Sequence, residues 1–242
     1  PETILFQDGD PNWYKQADAT PQCSDAPASE IIQVRLPKMS ERHLGLDWTS
    51  PTERAHGQIR RATDILQIDA NTALTRGTIV HSWFQMINWL DEGRPDTAAL
   101  RATVRDTDMT GLNIDNLITQ FHEMLDRPAV SRELARSSYS ADAKVFSEFP
   151  FAVLDEGKIL SGAIDRLVLQ FANDRAVSAD VIDFKTDAVD HDDKNWFENR
   201  TEHYRPQLEA YRTAVAKNFG LADNDISLRL IYVSAGIVRE LP

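Results

Sequence analysis

The spacing of hydrophobic residues changes midway along the 242-residue chain. In the first part, Val80, Trp83, Ile87 and Leu90 recur every three or four residues, which is the spacing of a helix packed on a core. This pattern predicts a helix over residues 77–90. Three further helices are predicted at 97–106, 114–126 and 128–137, with start signals at Asp96 or Thr97, at Asp115 and at Pro128.

The second part of the chain is patterned as strands. Apolar runs predict strands at 144–154, 159–171 and 176–186, with turns at 155–158 and 173–174. A helix is then predicted from near Arg205 to Phe219, with Pro206 in its first turn and Gly220 as its C-terminal cap. A last strand at 227–234 should lie parallel to the third, because a helix connects the two. The elements predict an α/β fold, a mixed sheet of four to five strands flanked by helices, with a helical N-terminal half.

The first 55 residues differ in composition from the rest, since they contain six of the eleven prolines. Only residues 30–36 favour a strand there. We expect a proline-rich tether or an irregular arm over 1–55 and one domain over 56–242, with a helical part at 56–140 and a sheet core at 141–242. Because the first residue is not Met, we also expect the sequence to be a piece of a longer chain or a trimmed one.

Charge and cysteine content limit the functions that the chain could have. The net charge of −12 disfavours nucleic acid as a partner, although carboxylates that bind a metal ion would also raise the negative count. Cys23 is the single cysteine, which excludes an intramolecular disulfide and a site made of four cysteines, and favours a reducing cytoplasm. The chain contains no run of about eighteen apolar residues, so no membrane span is expected.

Acidic residues interrupt two of the apolar predicted strands. Asp165 lies in one, and Asp183 lies in the next, two residues before Lys185, so that Asp183 and Lys185 should face the same way. Two converging carboxylates suit Mg²⁺ or Mn²⁺. A lysine beside them can orient a water or stabilise charge on a phosphate, and Gly162 would let backbone or substrate approach the strand. The two strands therefore predict a site that cleaves phosphodiesters.

A structural interpretation of the same residues is also open. Asp165 or Asp183 could form a cross-strand ion pair with Lys185 or Arg166. His81 lies beside the apolar stripe of the first predicted helix, where a histidine taken alone is more typical of a structural residue. The acidic segment at 187–199 is more typical of a solvated loop than of a metal site.

Four motifs together resemble the RecB/AddA-type branch of the PD-(D/E)XK nucleases, the domain found at the C-terminus of bacterial helicase–nucleases. In chain order they are Gly-Thr-Ile-Val-His at 77–81, Gly-Ala-Ile-Asp-Arg at 162–166, Ile-Asp-Phe-Lys-Thr at 182–186 and Gln-Leu-Glu-Ala-Tyr at 207–211. Each motif is weak alone, but their order and spacing are specific. The resemblance covers about residues 75–235, and Phe184 stands where the family has tyrosine.

The resemblance implies roles for individual residues. Asp165, Asp183 and Lys185 would be catalytic, and the metal ligands would be His81, Asp165 and Asp183. Glu148 lies in a segment similar to the family's Glu-x-Pro-Phe pattern. It would be either an additional site residue or a surface acid.

The resemblance also implies a cofactor and partners. Gln207 and Tyr211 would position DNA or support the site, and Tyr211 also fits the apolar stripe of its helix. The implied cofactor is Mg²⁺, with Mn²⁺ as the other choice. Several members of the family carry an iron–sulfur cluster held by four cysteines, which a chain with Cys23 as its single cysteine cannot hold. The implied partners are single-stranded DNA and a helicase, which would be a domain of the same full-length chain or a separate subunit. No phosphate-binding loop of an ATPase occurs in the sequence.

The function expected from these features is Mg²⁺-dependent hydrolysis of single-stranded DNA by an exonuclease domain in double-strand-break repair and recombination. Two alternatives remain. One is a catalytically inactive nuclease-like module that binds DNA or partner subunits, and the other is a stand-alone endonuclease of the restriction type.

Overall fold

The computed structural model describes residues 48–56, 68–107, 109–190 and 193–242. Cys23 and the strand predicted at 30–36 lie outside these residues. The described part forms one six-stranded sheet. Its strands are β1 (Trp48–Thr49), β2 (Lys144–Asp155), β3 (Lys158–Ala172), β4 (Arg175–Lys185), β5 (Ile226–Tyr232) and β6 (Ile237–Leu241).

The strand β3 is the centre of this sheet. One of its edges pairs antiparallel with β2 along almost the whole length, from Lys144–Leu169 to Asp155–Lys158. The other edge pairs antiparallel with β4 near its C-terminal end and parallel with β1 near its start. The strands β5 and β6 continue the sheet beyond β4, parallel and antiparallel in turn. The predicted mixed α/β sheet is therefore confirmed, and so is the predicted parallel pairing of β5 with β4.

Six helices accompany the sheet in the described part of the chain. They are α1 (Pro51–His56), α2 (Ile68–Gln85), α3 (Thr97–Thr103), α4 (Ile114–Asp126), α5 (Pro128–Leu134) and α6 (Trp196–Phe219). Short 3₁₀ turns occur at Arg136–Ser138 and Asp223–Asp225. None of the described helices combines the length and the apolar character that crossing a membrane requires.

The two faces of the sheet are covered by different helices. Alternation along β4 sends Val181 to one face and Ile182 to the other. Val181 packs in a core with Leu208 of α6, whereas Ile182 packs in a core with Phe84 of α2 and Phe121 of α4. All five side chains are buried. The sheet thus lies between α6 and the N-terminal helices, and the ends of its central strands lie between the two layers.

The turns between the long strands follow from their residues. Glu156 and Gly157 have φ of 47° and 80°, and Asn173 and Asp174 have φ of 50° and 59°. Two consecutive left-handed residues give the tight hairpin turn that matches the twist of the strands. The turn residues predicted from the sequence are therefore confirmed for both hairpins.

The end of α2 differs from the prediction. The helix ends at Gln85 rather than at Leu90, although Ile87 and Leu90 are buried as their spacing indicated. The buried guanidinium of Arg166 accounts for the difference, because it binds the carbonyls of Ile87 and Asn88, 2.8 and 2.6 Å away. The backbone after Gln85 therefore leaves the helical conformation, and its carbonyls bind Arg166 instead of helical N–H groups.

The start of α6 also differs from the prediction. The helix begins at Trp196, inside the segment predicted as a loop, and Pro206 lies within it. A proline inside a helix removes one backbone hydrogen bond. The first turns are nevertheless held to the sheet, since the Trp196 ring packs edge-on against Tyr232 at 5.3 Å.

The described sheet contains two strands that the sequence pattern did not predict. These are β1, of two residues, and β6. Residues 48–56 belong to the fold through β1 and α1, and the assignment of the preceding residues as a tether stays a prediction.

Candidate active site

The site begins where the pairing of β3 with β4 stops. The last paired residues are Arg166 and Ile182. Asp165 and Asp183 occupy the next position on the two strands, where continued pairing would place two carboxylates side by side, a destabilising arrangement. Instead, Asp165 Oδ2 accepts a hydrogen bond of 2.9 Å from the backbone N–H of Phe184. The strands part here, and the two acids face different partners.

Glu148 enters the site from β2. It lies opposite Asp165, between the pairs Ser147–Arg166 and Phe149–Ile164. Its φ is +48°, in the left-handed region, which costs a residue other than glycine about 1–3 kcal/mol. Gln85 donates a 3.0 Å hydrogen bond to Glu148 Oε1. This local twist of the strand brings the Glu148 carboxylate beside that of Asp165.

His81 completes an acidic cluster from the helix α2. Its Nδ1 lies 3.3 Å from Asp165 Oδ2. One ligand atom each from His81, Glu148 and Asp165 lie within 4.8 Å of one another. Carboxylate oxygens with an imidazole nitrogen are donors that suit a divalent cation. The donor set therefore fits the metal ion that the sequence predicted, with Glu148 in the cluster.

Asp183 lies in a separate, buried hydrogen-bond network. It is 1% exposed, and its Oδ2 lies 2.6 Å from Lys185 Nζ. The Gln207 amide joins the pair, because its Nε2 donates to Asp183 Oδ1 at 3.2 Å and its Oε1 accepts from Lys185 Nζ at 3.2 Å. The same Nε2 donates to Tyr211 Oη at 2.8 Å. Gln207 therefore binds both members of the acid–lysine pair, and Tyr211 binds Gln207.

Burial and charge shift the acid–base equilibria of the site. Burial raises the pKa of Asp183 to about 6, against the opposing effect of the Lys185 charge. Burial and the neighbouring Asp165 carboxylate raise the pKa of Glu148. Burial would lower the pKa of His81, but the hydrogen bond to Asp165 and the charges of Asp165 and Asp183 raise it above its ordinary value. All three shifts stabilise the protonated form of the group relative to an exposed side chain of the same type.

A comparison with known protein families identifies the family of a chain with this fold and site. The family model of the PD-(D/E)XK nuclease superfamily matches residues 53–241. The chain belongs to the PD-(D/E)XK nuclease superfamily. The search of curated proteins found no match. The match confirms the predicted superfamily, whereas the RecB/AddA-type branch stays a prediction. Members of this superfamily are in general metal-dependent nucleases that act on DNA.

In the PD-(D/E)XK core of this chain, Lys185 also contacts an aromatic ring that the sequence motifs did not indicate. Lys185 Nζ lies 4.0 Å from the centre of the Tyr204 ring. The Tyr204 hydroxyl donates to the Asp187 carboxylate, with oxygen–oxygen distances of 3.1 and 3.2 Å, and Arg200 is ion-paired with Asp187. The one sequence signal for the contact of Tyr204 with Lys185 is that Tyr204 lies one helical turn before Gln207, because cation–ring contacts themselves leave no sequence pattern.

Two glycines of the superfamily-like motifs allow close packing around the site. A Cβ added at Gly77 would lie 3.2 Å from Thr186 Oγ1, so the first motif rests directly on the third. At Gly162 it would lie 3.0 Å from Pro51 Cδ. The close approach expected at Gly162 is therefore made, in the structure, by the start of α1.

Proposed function

We propose that this chain is the Mg²⁺-dependent DNA exonuclease domain of a helicase–nuclease that acts on single-stranded DNA in double-strand-break repair and recombination. The observation that carries the nuclease part is the cluster of His81, Glu148 and Asp165 beside the Asp183–Lys185 pair. The single-stranded substrate and the helicase partner are supported by the order of the four motifs, which resembles RecB/AddA-type nucleases.

The metal ion would be held by His81, Glu148 and Asp165. Asp183 is the remaining predicted ligand, and its carboxylate lies within reach of Lys185 and Gln207. When bound, a divalent cation supplies positive charge that favours phosphate binding and the loss of a proton from water.

Lys185 carries the chemistry that the chain itself contributes. Its ammonium is a fixed positive charge that can bind a phosphate oxygen or orient the attacking water, and it stabilises the charge that develops in the transition state. Hydrolysis forms a bond from the water oxygen to phosphorus and breaks one phosphorus–oxygen ester bond. Asp183, Gln207 and the Tyr204 ring hold the ammonium in place before the substrate arrives, which lowers the cost of reorganisation during the reaction.

The test is Mg²⁺-dependent degradation of end-labelled single-stranded DNA by the native chain and by Lys185→Ala. The matched control is Lys158→Ala, which removes an exposed lysine from the turn side of β3. We expect cleavage by the native chain and the control and loss of cleavage in Lys185→Ala. Asp183→Ala should lose cleavage with little change in fold.

A circular single strand separates the exonuclease from the endonuclease alternative. An exonuclease produces a ladder from the labelled end of a linear strand and leaves the circle intact, whereas internal cuts would open the circle. If the native chain does not cleave but still binds Mg²⁺ by calorimetry, delivery of the strand by a helicase is required. Absence of both cleavage and metal binding would favour the catalytically inactive module.

A further inference from the structure

A surface cavity lies beside the C-terminal end of β4, outside the cluster of acids. Its volume is about 280 Å³, and it is lined by Arg76, Gln120, Glu123, Met124, Arg127 and Ser234. These residues come from α2, α4, the connection to α5 and the segment after β5. No residue of the candidate active site lines it.

Hydrogen bonds to backbone carbonyls link the residues around the cavity to the end of β4. Arg76 Nη1 donates a 3.4 Å hydrogen bond to the carbonyl of Thr186, the residue after Lys185. The N–H of Val233, which precedes Ser234, donates to the carbonyl of Lys185 at 3.1 Å. A ligand in the cavity would therefore lie one residue beyond Lys185 along the end of the sheet.

The charge in the cavity is mainly positive. Within the described ranges, neither Arg76 nor Arg127 has a carboxylate within 4.0 Å, the ion-pair distance. Arg101 of α3, by contrast, is ion-paired with Asp115. Two guanidinium groups whose charge no described carboxylate neutralises therefore line the cavity, in a chain with a net charge of −12.

The neutral groups of the cavity are also hydrogen-bond donors. Ser234 Oγ is buried and has no hydrogen-bond partner in the described part of the chain, and a buried hydroxyl without a partner costs free energy. Gln120 uses its Oε1 to accept a 3.4 Å hydrogen bond from Arg76, so its N–H₂ group remains a donor. Residues with guanidinium, amide and hydroxyl donors line this one cavity, and such a set of groups is complementary to an anion with several acceptor oxygens.

We infer that this cavity binds a phosphate group of the nucleic-acid strand, next to the phosphate that is cleaved. The inference rests on the proposed function for the nature of the strand, whereas the anion-binding chemistry stands on Arg76, Arg127 and Ser234. Among the described residues, Glu123 is the one carboxylate that lines the cavity. It weakens the binding of an anion, and its removal should strengthen that binding.

The first measurement is the affinity for a short fluorescent single strand, by anisotropy in EDTA, so that cleavage does not intervene. Arg127→Gln should weaken binding about tenfold, which is the effect of one lost charge-assisted hydrogen bond. It should also reduce the slope of log K against log salt by about 0.7, the value for one phosphate on a single strand. Glu123→Gln should tighten binding, and Arg101→Gln, which removes the same charge outside the cavity, should leave the slope nearly unchanged.

The second measurement identifies the phosphate. In a series of strands, one phosphate at a time is replaced by an uncharged methylphosphonate. The native chain should lose affinity strongly at one position, and Arg127→Gln should show no further loss there. Arg127→Lys, which keeps the charge, should retain most of the sensitivity and excludes misfolding as the cause. Inorganic phosphate and a strand with a terminal 5′-phosphate distinguish a backbone phosphate from a terminal one.

The outcomes separate this inference from the proposed nuclease. If the strand is bound but never cleaved, and Arg127→Gln still removes the sensitivity at one phosphate, the cavity is confirmed and the nuclease is not. If cleavage occurs and Arg127→Gln and Arg101→Gln have equal effects, the phosphate site is wrong. Failure of the native chain to bind the strand at all would also overturn it.

Discussion

The metal-free protein should become more stable as the pH falls from 7 to 5. The ordinary pKa of Asp183 is 3.8, whereas in the folded chain burial raises it to about 6. Between these two values the folded state binds a proton that the unfolded state does not, so stability increases as the pH falls through the folded pKa. The raised pKa values of Glu148 and His81 act in the same direction.

The size of the effect follows from the pKa of Asp183. A change from 3.8 to about 6 corresponds to about 3 kcal/mol of unfolding free energy in total. About 1 kcal/mol of it falls between pH 7 and pH 5, because the folded-state carboxyl takes up most of its proton in this interval; the rest falls between pH 5 and the ordinary pKa, where the unfolded chain is still ionised. Carboxyl groups with lowered pKa values, such as Asp155 beside Lys217 and Arg54, act below this window.

The assay is urea unfolding in EDTA at pH 7 and pH 5, followed by the fluorescence of the five tryptophans. The comparison is Asp183→Asn, which keeps the shape of the side chain but does not titrate. Its gain in stability between pH 7 and pH 5 should be smaller than that of the native chain by about 1 kcal/mol. Equal gains in both proteins, or a native chain that loses stability at pH 5, would refute the assignment of the proton to Asp183.

Three other substitutions test the contacts around the site. Arg166→Met should lower the free energy of unfolding in urea by about 2–4 kcal/mol, because the carbonyls of Ile87 and Asn88 lose a charged donor. A decrease of less than about 1 kcal/mol would contradict this. Tyr204→Leu should lower kcat about threefold to thirtyfold at unchanged KM, because it removes the ring that contacts Lys185. Tyr204→Phe keeps the ring and should largely retain activity. Equal losses in both variants would show that the hydroxyl matters instead. Gly162→Ala should destabilise by about 1–3 kcal/mol, since its Cβ would lie 3.0 Å from Pro51 Cδ, and an unchanged unfolding midpoint would show that α1 moves freely.

The sheet was predictable from the sequence for local reasons. Both hairpin turns contain residues that accept a left-handed backbone, and the apolar runs between them are long enough for buried strands. The buried stripe of α2 was also predictable, because packing on the sheet follows helical spacing. What failed was the helix end, which a distant residue decides: Arg166 is 79 positions from the carbonyl of Ile87 that it binds.

The candidate site was predictable only as separate pieces. Acids in apolar strands indicated Asp165 and Asp183, because buried charges need a partner. Glu148 could not be placed by alternation, since its left-handed φ turns the side chain away from the regular pattern of β2. The contacts of Lys185 with the Tyr204 ring and with Gln207 depend on where α6 lies on the sheet, and that position results from packing over many residues.

The parting of β3 and β4 explains why these pieces meet. In an unbroken ladder, Asp165 and Asp183 would stand opposite each other, and their repulsion would weaken the pair. The strands separate at that position, so Asp165 turns to the Phe184 N–H and to His81, and Asp183 turns to Lys185 and Gln207. The separation thus gives two neighbouring groups, an acidic cluster suited to a cation and an acid–lysine pair that holds the Lys185 ammonium. Hydrolysis of a phosphodiester with a metal ion uses both a cation site and a fixed positive charge, and the chain provides both where this strand pair ends.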